Sequence, residues 1–462
     1  MHLGDIFDDL DFTMATAGIE ITAVEIDSRR CAPGVLFFAL DGQVAKGIDY
    51  VADAVANGAS AVVVPAMVSC SVPVIVIPPS RLRAALAHAC AAVTGRPDRE
   101  VQLVGITGTN GKTSVATLVA SLCTALGWHG DSIGTLTQER TTPAAPELWR
   151  TLRALRTPIE DSAKHVVALE VSSHALDQDR VLGAHFAVAA FTNLTHDHLD
   201  YHETMAQYFA AKARLFTSEY ASRAVIWVDD PYGRRLADAC TLPTVEVRRS
   251  DASQVASTLS GTSFLWRGWA VSSPLIGDYN VDNALLAMAI VVALGASEES
   301  VANALRSVTA VPGRFEVVHD DSPTVIVDYA HSPDGLERVL HAVRALSSGR
   351  VITVFGCGGD RDRAKRPRMG EVATSLSDYV IVTSDNPRSE DPEQIIDEVL
   401  STVPAGAAQR IVDRAEAIAS ALSMARDADV VLIAGKGHET TQSIGDQVLA
   451  FDDRLHVREI LK

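Results

Sequence analysis

Cysteine is scarce and unpaired in this chain: six residues among 462, at positions 31, 70, 90, 123, 240 and 357, with no Cys-x-x-Cys among them. That excludes a disulfide-dense scaffold and fits reduced, buried thiols in a cytosol. Basic charge is also in deficit. Forty Lys and Arg stand against 58 Asp and Glu, a formal net charge of −18, so the chain is not built to wrap nucleic acid, although a local basic pocket can still hold a nucleotide. Asp5, Asp8, Asp9 and Asp11 precede any lysine or arginine, the wrong sign for a secretory leader. No clean membrane-length apolar run is present. The nearest, Ala61 to Pro79, is broken by Pro65, Pro73, Pro78 and Pro79, and its β-branched residues suit two buried strands. No fixed-period repeat or low-complexity segment stands out. The expectation is a cytoplasmic α/β protein without membrane insertion, of two or three domains, with an ordinary globular composition of 47% hydrophobic and 21% charged residues.

What is there begins with Gly105-Ile-Thr-Gly-Thr-Asn-Gly-Lys-Thr-Ser114. VQLVGIT before it reads as a buried strand, and SVATLVASLCTALG after it as a helix ending at Gly127. Glycines 108 and 111 let backbone N–H groups converge on phosphate oxygens at a helix N-terminus, with Lys112 on the terminal phosphates and Thr113 available to magnesium. The loop alone leaves kinase, NTPase switch and ligase open.

Polar, punctuated stretches at Thr94–Glu100 and Val311–Glu316 divide the chain. Beyond the second, TVIVDYA, RVITVFG, DYVIVTS and DVVLIAG are strand candidates of a parallel sheet, followed by AHSPDG, CGGDRDRAKRP, DNPRSED and KGHET. Four polar loops leaving the carboxyl ends of such strands converge on one ligand site.

Further constellations carry chemistry. HVVALEVSSHALDQDRV puts Glu170 and Ser172 at a strand end, and His196, Asp197, His198, Asp200 and His202 follow within seven residues. These donors suit zinc or, beside a phosphate loop, more economically magnesium. Lys212 in YFAAKARLF reads, on composition alone, as a snorkelling surface lysine. Asn280 and Asn283 begin a helical pattern, Asn280 as a possible N-cap and both as amides able to face an adenine. The run Arg361 to Arg368 holds five basic residues at a strand end, a position that favours anion recognition, and Arg388 supplies a planar fork for a carboxylate.

Taken together, GITGTNGKTS, TTP, LEVSSHALDQDRV, FTNLTHDHLDYH, AAKARLF, VPGRFE, DYAHSPDGL, GCGGDRDRAKRP, SDNPR and AGKGHE resemble the Mur ligase family, in order over nearly the whole chain. The resemblance implies an α/β protein of three domains: a small N-terminal UDP-binding domain (1–95), a central P-loop ATPase domain built on a parallel sheet (96–310) and a C-terminal Rossmann-like domain for the incoming amino acid (311–462). It implies an ATP-dependent amide ligase of peptidoglycan precursor synthesis, working as a monomer with Mg2+ on small-molecule substrates: ATP, a UDP-muramoyl-dipeptide and an amino acid.

The residues carried over by resemblance fall into four groups. Gly108, Thr109, Asn110, Gly111, Lys112, Thr113, Ser114, Asn280, Asn283, Arg314 and Asp328 would hold ATP. Thr113, Glu170, His198 and Lys212, the last as a carbamate, would attend the metal, with Lys112, His198 and Lys212 catalytic. EIDSRRCAPGVLFFALDG matches the family's D-S-R-x-x-x-P-G-x-L-F segment, implying that Ile26, Ser28, Gln43, Val44 and Ala45 meet the UDP group, while Thr141, Thr142, Ser172, Gln178 and Arg180 meet the muramoyl-peptide. Arg361, Asp385, Asn386, Pro387, Arg388, Gly435 and Glu439 would hold the amino acid. In this family DNPR accompanies meso-diaminopimelate rather than L-lysine. The charge logic agrees, since a zwitterionic distal centre needs both signs and lysine needs only an acid. The GTLTQERTTP segment is short for the family, which implies a different substrate-peptide loop.

Overall fold

The computed structural model describes residues 1–7, 14–42, 45–138, 140–155 and 163–462. Gln43 and Val44 lie outside the described residues. Alternating strand and helix patterns give three helix-wrapped, mainly parallel sheets in succession.

The first holds β1 (Ala23–Glu25), β2 (Val35–Phe38), β3 (Ala61–Val64) and β4 (Val74–Val76), all parallel and in sequential order. The apolar runs VLFF and AVVV are buried throughout, as strands covered on both faces require. The Ala61 to Pro79 stretch does form two strands, but only β3 is wholly buried. β4 is the sheet edge and leaves Val76 40% exposed, the position where proline-flanked segments are tolerated.

The second sheet orders β5 (Gln102–Thr107), β6 (His129–Ile133), β7 (His165–Glu170), β8 (Val188–Phe191), β9 (Ala224–Trp227) and β10 (Thr244–Val247) as 10-9-8-5-7-6, every pair parallel. Chain order reverses at β5, so the glycine loop leaves the sheet at its switch point, where such sheets bind ligands. The helix Lys112–Ala125 seats Val115, Leu118, Val119 and Leu122 against Val104, Ile106 and the apolar helix Asp278–Ala293. An antiparallel set of β11 (Ala252–Thr258), β12 (Gly261–Trp266) and β13 (Trp269–Ser273) is appended.

The third sheet orders β14 (Glu316–His319), β15 (Thr324–Asp328), β16 (Val351–Phe355), β17 (Tyr379–Val382), β18 (Gln409–Arg410) and β19 (Val430–Ala434) as 14-15-19-16-17-18, with only β14 antiparallel. The four expected strands are β15, β16, β17 and β19. Asp328 and Phe355 both pair with Ala434, and Phe355 with Val382, so their carboxyl ends are level and the four polar loops leave one edge. A hairpin of β20 (Thr441–Ile444) and β21 (Gln447–Ala450) follows. All six cysteines are free, and among the described residues no helix is long and apolar enough to cross a membrane.

Candidate functional site

Gly108 and Gly111 have φ of +151° and +86°. A Cβ at Gly108 would lie 1.8 Å from Thr192 Oγ1, and one at Gly111 2.5 Å from Asn283 Oδ1, so only glycine permits this path. The loop is braced by β8's exit: Thr109 N donates to Asn193 O at 2.9 Å and Asn110 N to Asn193 Oδ1 at 3.0 Å. Lys112 folds back to donate to the carbonyls of Gly108 (3.0 Å) and Thr109 (2.9 Å), and burial lowers its pKa.

Beside the loop, Glu170 ends β7 and accepts from Thr113 Oγ1 at 2.8 Å, Thr135 N at 2.8 Å and Thr135 Oγ1 at 3.3 Å. Gly134 is pressed against this carboxylate, a Cβ there lying 2.1 Å from Oε1. Among the described residues no group of three or more His, Cys, Asp or Glu assembles as a metal centre, so the zinc alternative for the His196–His202 run gains no cluster. A hydroxyl and a carboxylate beside a phosphate loop are instead the sparse oxygen set with which proteins hold magnesium shared with a substrate phosphate.

His198 precedes the short helix Leu199–His202 with φ of +54° and places Nε2 3.5 Å from Asp197 Oδ2. Burial outweighs that carboxylate and lowers its pKa, favouring the neutral imidazole that binds metals. Lys212 departs from the surface reading. It is 1% exposed, and its Nζ donates to Gly108 O at 2.8 Å and lies 4.7 Å from the Tyr208 ring centroid. Burial first, and Lys112 second, hold its pKa well below the ordinary lysine value.

A cleft of about 720 Å³ separates the second and third sheets, with Asn110, Gly111, Ser114, Asn283, Arg314 and Asp328 on its walls. Asn280 is not an N-cap, since Gly277 occupies that position. Its Nδ2 donates to Ile276 O at 2.8 Å and its Oδ1 accepts from Asn283 Nδ2 at 3.1 Å, so it orients Asn283 from behind. Asp328 accepts from Phe315 N and Ala330 N, each at 2.7 Å, and burial raises its pKa against Arg314. Arg314 Nη2 reaches across to Thr113 Oγ1 at 3.1 Å, and Asn110 Nδ2 donates to Asp334 Oδ2 at 2.8 Å. Asp334 was not singled out from the sequence, although AHSPDG marked its loop. Trp227 and Tyr329 also line the cleft, Tyr329 from within the DYAHSPDGL motif, and neither was expected to be a site residue.

Thr142, Ser172, Gln178 and Arg180 form one network abutting Glu170. Thr142 Oγ1 donates to Glu170 O at 2.8 Å and accepts from Ser172 N at 3.0 Å, while Arg180 donates to Thr142 O at 2.9 Å and to Gln178 Oε1 at 2.7 Å. Thr141 joins through Thr135 Oγ1 at 3.2 Å. Ile26 and Ser28 follow β1, and no hydrogen bond among the described residues ties them or Ala45 to this network.

At the third sheet's edge, Asp385-Asn386-Pro387-Arg388 follow β17, Arg361 follows β16, and Gly435 and Glu439 follow β19. A Cβ at Gly358 would lie 3.0 Å from Arg388 Nη1 and 3.8 Å from Arg361 Cγ, so the two arginines flank one glycine. Burial, then Arg361, lowers the Arg388 pKa, against the opposing pull of Asp385 and Glu439. Glu439 Oε2 accepts from Asn386 Nδ2 at 2.7 Å. Gly435, at φ +115°, leaves room for Asp385, whose Oδ2 would sit 2.5 Å from a Cβ there. Three further members of the basic run have protein partners of their own. Arg366 is wholly buried against Glu390 and Glu398, Arg363 also pairs with Glu398, and Lys365 donates to His331 O at 2.7 Å.

Three family profiles match successive stretches: Mur ligase family, catalytic domain (20–94), Mur ligase middle domain (106–291) and Mur ligase, glutamate ligase domain (313–437). The chain is 44% identical over 467 residues to the UDP-N-acetylmuramoyl-L-alanyl-D-glutamate--2,6-diaminopimelate ligase of Geobacillus kaustophilus, spanning 96% of this chain and 95% of that one. It is 42% identical to the protein of the same name from Solibacter usitatus, over 100% and 98% of the two chains. A solved structure of a ligase of that name superposes with a TM-score of 0.68 at 31% identity, over 100% and 98% of the chains. The fold is also shared with the MurF ligase of Thermotoga maritima in complex with ADP, at a TM-score of 0.65, 18% identity and coverage of 95% and 96%.

Proposed function

This chain belongs to the Mur ligase family, and from that premise we propose that it joins meso-diaminopimelate to the D-glutamyl γ-carboxylate of UDP-N-acetylmuramoyl-L-alanyl-D-glutamate at the expense of ATP. The observation that carries the choice of amino acid is the gathering of both charge signs at one sheet edge, Arg361 and Arg388 beside Gly358 and Glu439 close enough for its charge to act on Arg388. A carboxylate and an ammonium on one distal carbon match that pair of charges.

In the first step a γ-carboxylate oxygen bonds to the ATP γ-phosphorus as the β,γ-bridging bond breaks, giving an acyl phosphate and ADP. In the second the amine nitrogen bonds to the activated carbonyl, inorganic phosphate leaves, and the amine loses a proton. Two anions must first meet, so the residues' task is positioning and charge compensation. Lys112, the Gly111 N–H and the N–H groups in the first turn of the helix Lys112–Ala125 receive the phosphates. Asn283, Arg314 and Asp328 hold the nucleotide across the cleft, Asn280 steadying Asn283. The Thr142–Arg180 network receives the muramoyl-peptide beside Glu170, and Ile26, Ser28, Gln43, Val44 and Ala45 take the UDP group. Thr113 and Glu170 would hold Mg2+, with His198 and a carbamylated Lys212 as the further ligands that the family resemblance implies, and the ion would supply neutralisation of phosphate charge. Carbamylation joins an uncharged amine to carbon dioxide with loss of one proton, and the buried Lys212 amine is biased toward that uncharged form.

The division of labour follows 1–95 for UDP, 96–310 for ATP and 311–462 for the amino acid. One chain carries every group named, which supports a monomer, and six free cysteines suit the cytoplasm. The test is acceptor dependence with a heavy-oxygen label in the γ-carboxylate. Phosphate release should require the dipeptide substrate and the amino acid together and should carry one labelled oxygen. Brisk ATP hydrolysis without acceptors would point to an NTPase.

A further inference from the structure

Lys436 follows Gly435 at the end of β19, and its side chain has no exposure to solvent. A buried ammonium is retained only where acceptors replace its lost hydration. Here three do: Thr441 O at 2.7 Å, Glu439 Oε2 at 3.0 Å and Asn386 Oδ1 at 3.3 Å. They come from three different pieces, namely the start of β20, the loop after β19 and the loop after β17. Asn386 closes the ring, because its Nδ2 donates to the same Glu439 Oε2 at 2.7 Å. Oε2 therefore carries two donors, whereas Oε1 accepts no hydrogen bond from the described residues.

The β20 strand carries the arrangement on to the guanidinium. Ser443 N donates to Asn386 Oδ1 at 2.9 Å, Gln442 Nε2 to Asp385 O at 2.7 Å, Arg388 N to Ser443 O at 3.0 Å and Gly445 N to Arg388 O at 2.6 Å. These bonds hold Arg388 at φ +52°, a left-handed conformation that a non-glycine residue keeps only when its neighbours impose it.

We infer that Lys436 is the positioning residue of the amino-acid pocket. It commits one oxygen of Glu439, leaves the other to the distal ammonium of the incoming amino acid, and ties that acid to the segment that fixes Arg388. The spacing between acid and guanidinium, and so the preference for a zwitterionic distal centre over a plain amine, depends on it. This rests on the reading of the pocket as a diaminopimelate site.

The test is steady-state kinetics on the full chain for wild type, K436M, E439Q and the double variant. K436M should raise KM for meso-diaminopimelate by at least about tenfold, the scale for truncating one partner of a buried charge pair, while KM for ATP and for the UDP-muramoyl-dipeptide stays within about twofold. Preference over L-lysine should shrink. In the E439Q background K436M should add little, since both act through one carboxylate. An unchanged diaminopimelate KM, a uniform loss across all three substrates, or additive effects in the double variant would overturn the inference. If K436M is not obtained folded, K436Q is read by the same criteria. A wild-type protein that does not use diaminopimelate would overturn the pocket reading itself.

Discussion

Thr113 and Glu170 lie 57 residues apart in the chain and share a hydrogen bond of 2.8 Å. The pairing of β5 with β7, which sets Ile106 opposite Glu170, brings the first turn of the phosphate-loop helix to the carboxylate. That corner is the proposed metal position. Glu170→Gln keeps a hydrogen-bond acceptor for Thr113 and removes the charge. It should lower kcat/KM on the order of a hundredfold and shift the magnesium titration to higher concentration. An unshifted magnesium titration would separate Glu170 from the metal.

Lys212 is the buried amine of the site. Lys212→Ala should lose activity by at least about a hundredfold, the scale for removing one preorganised charge-stabilising group, and a short free carboxylate should restore part of it. Absence of rescue, together with an unmodified amine in active wild-type protein, would remove the carbamate from the account.

Gly111 at φ +86° stands where a Cβ would lie 2.5 Å from Asn283 Oδ1. Gly111→Ala should raise KM for ATP by about tenfold through backbone strain and displacement of Asn283. Adding Asn283→Ala should relieve the collision but not the strain, so the double variant should fall short of the product of the two single effects. Simple multiplication of effects would mean that the two residues do not meet.

Glu390 receives hydrogen bonds from the buried Arg366, and these hold its pKa down to about 2 from an ordinary 4.5. The unfolded chain therefore binds more protons in that interval, and the stability that Glu390 contributes is complete above 4.5 and lost as pH falls through about 2. Denaturant unfolding should find Glu390→Gln less stable than wild type at neutral pH, with the gap closing across that acid window. A gap independent of pH would assign the effect to packing alone.

Much of this was legible in the chain because local pattern and tertiary role coincide. VQLVGIT, the glycine loop and the following helix predict their own geometry, and the four apolar runs after Val311 predict a parallel sheet with loops at one edge. Burial decided by distant partners was not legible. YFAAKARLF reads as an ordinary helix face, and only packing against the Gly108 carbonyl and Tyr208 buries Lys212. The basic run looked like one anion site, yet Glu390 and Glu398, which bury Arg366, lie 24 and 32 residues further on. KGHET marks the Lys436 loop but not the burial of its side chain, since the acceptors Asn386 and Thr441 are brought to it by the sheet and the hairpin.

The most direct test of the central claim is a mass-spectrometric assay of UDP-N-acetylmuramoyl-L-alanyl-D-glutamate with ATP, magnesium and a panel of amino acids. The account predicts a UDP-muramoyl-tripeptide containing meso-diaminopimelate, with one ADP and one phosphate formed per amide bond, and little product from L-lysine. A lysine-containing product in preference, or ADP formation with no tripeptide, would contradict it.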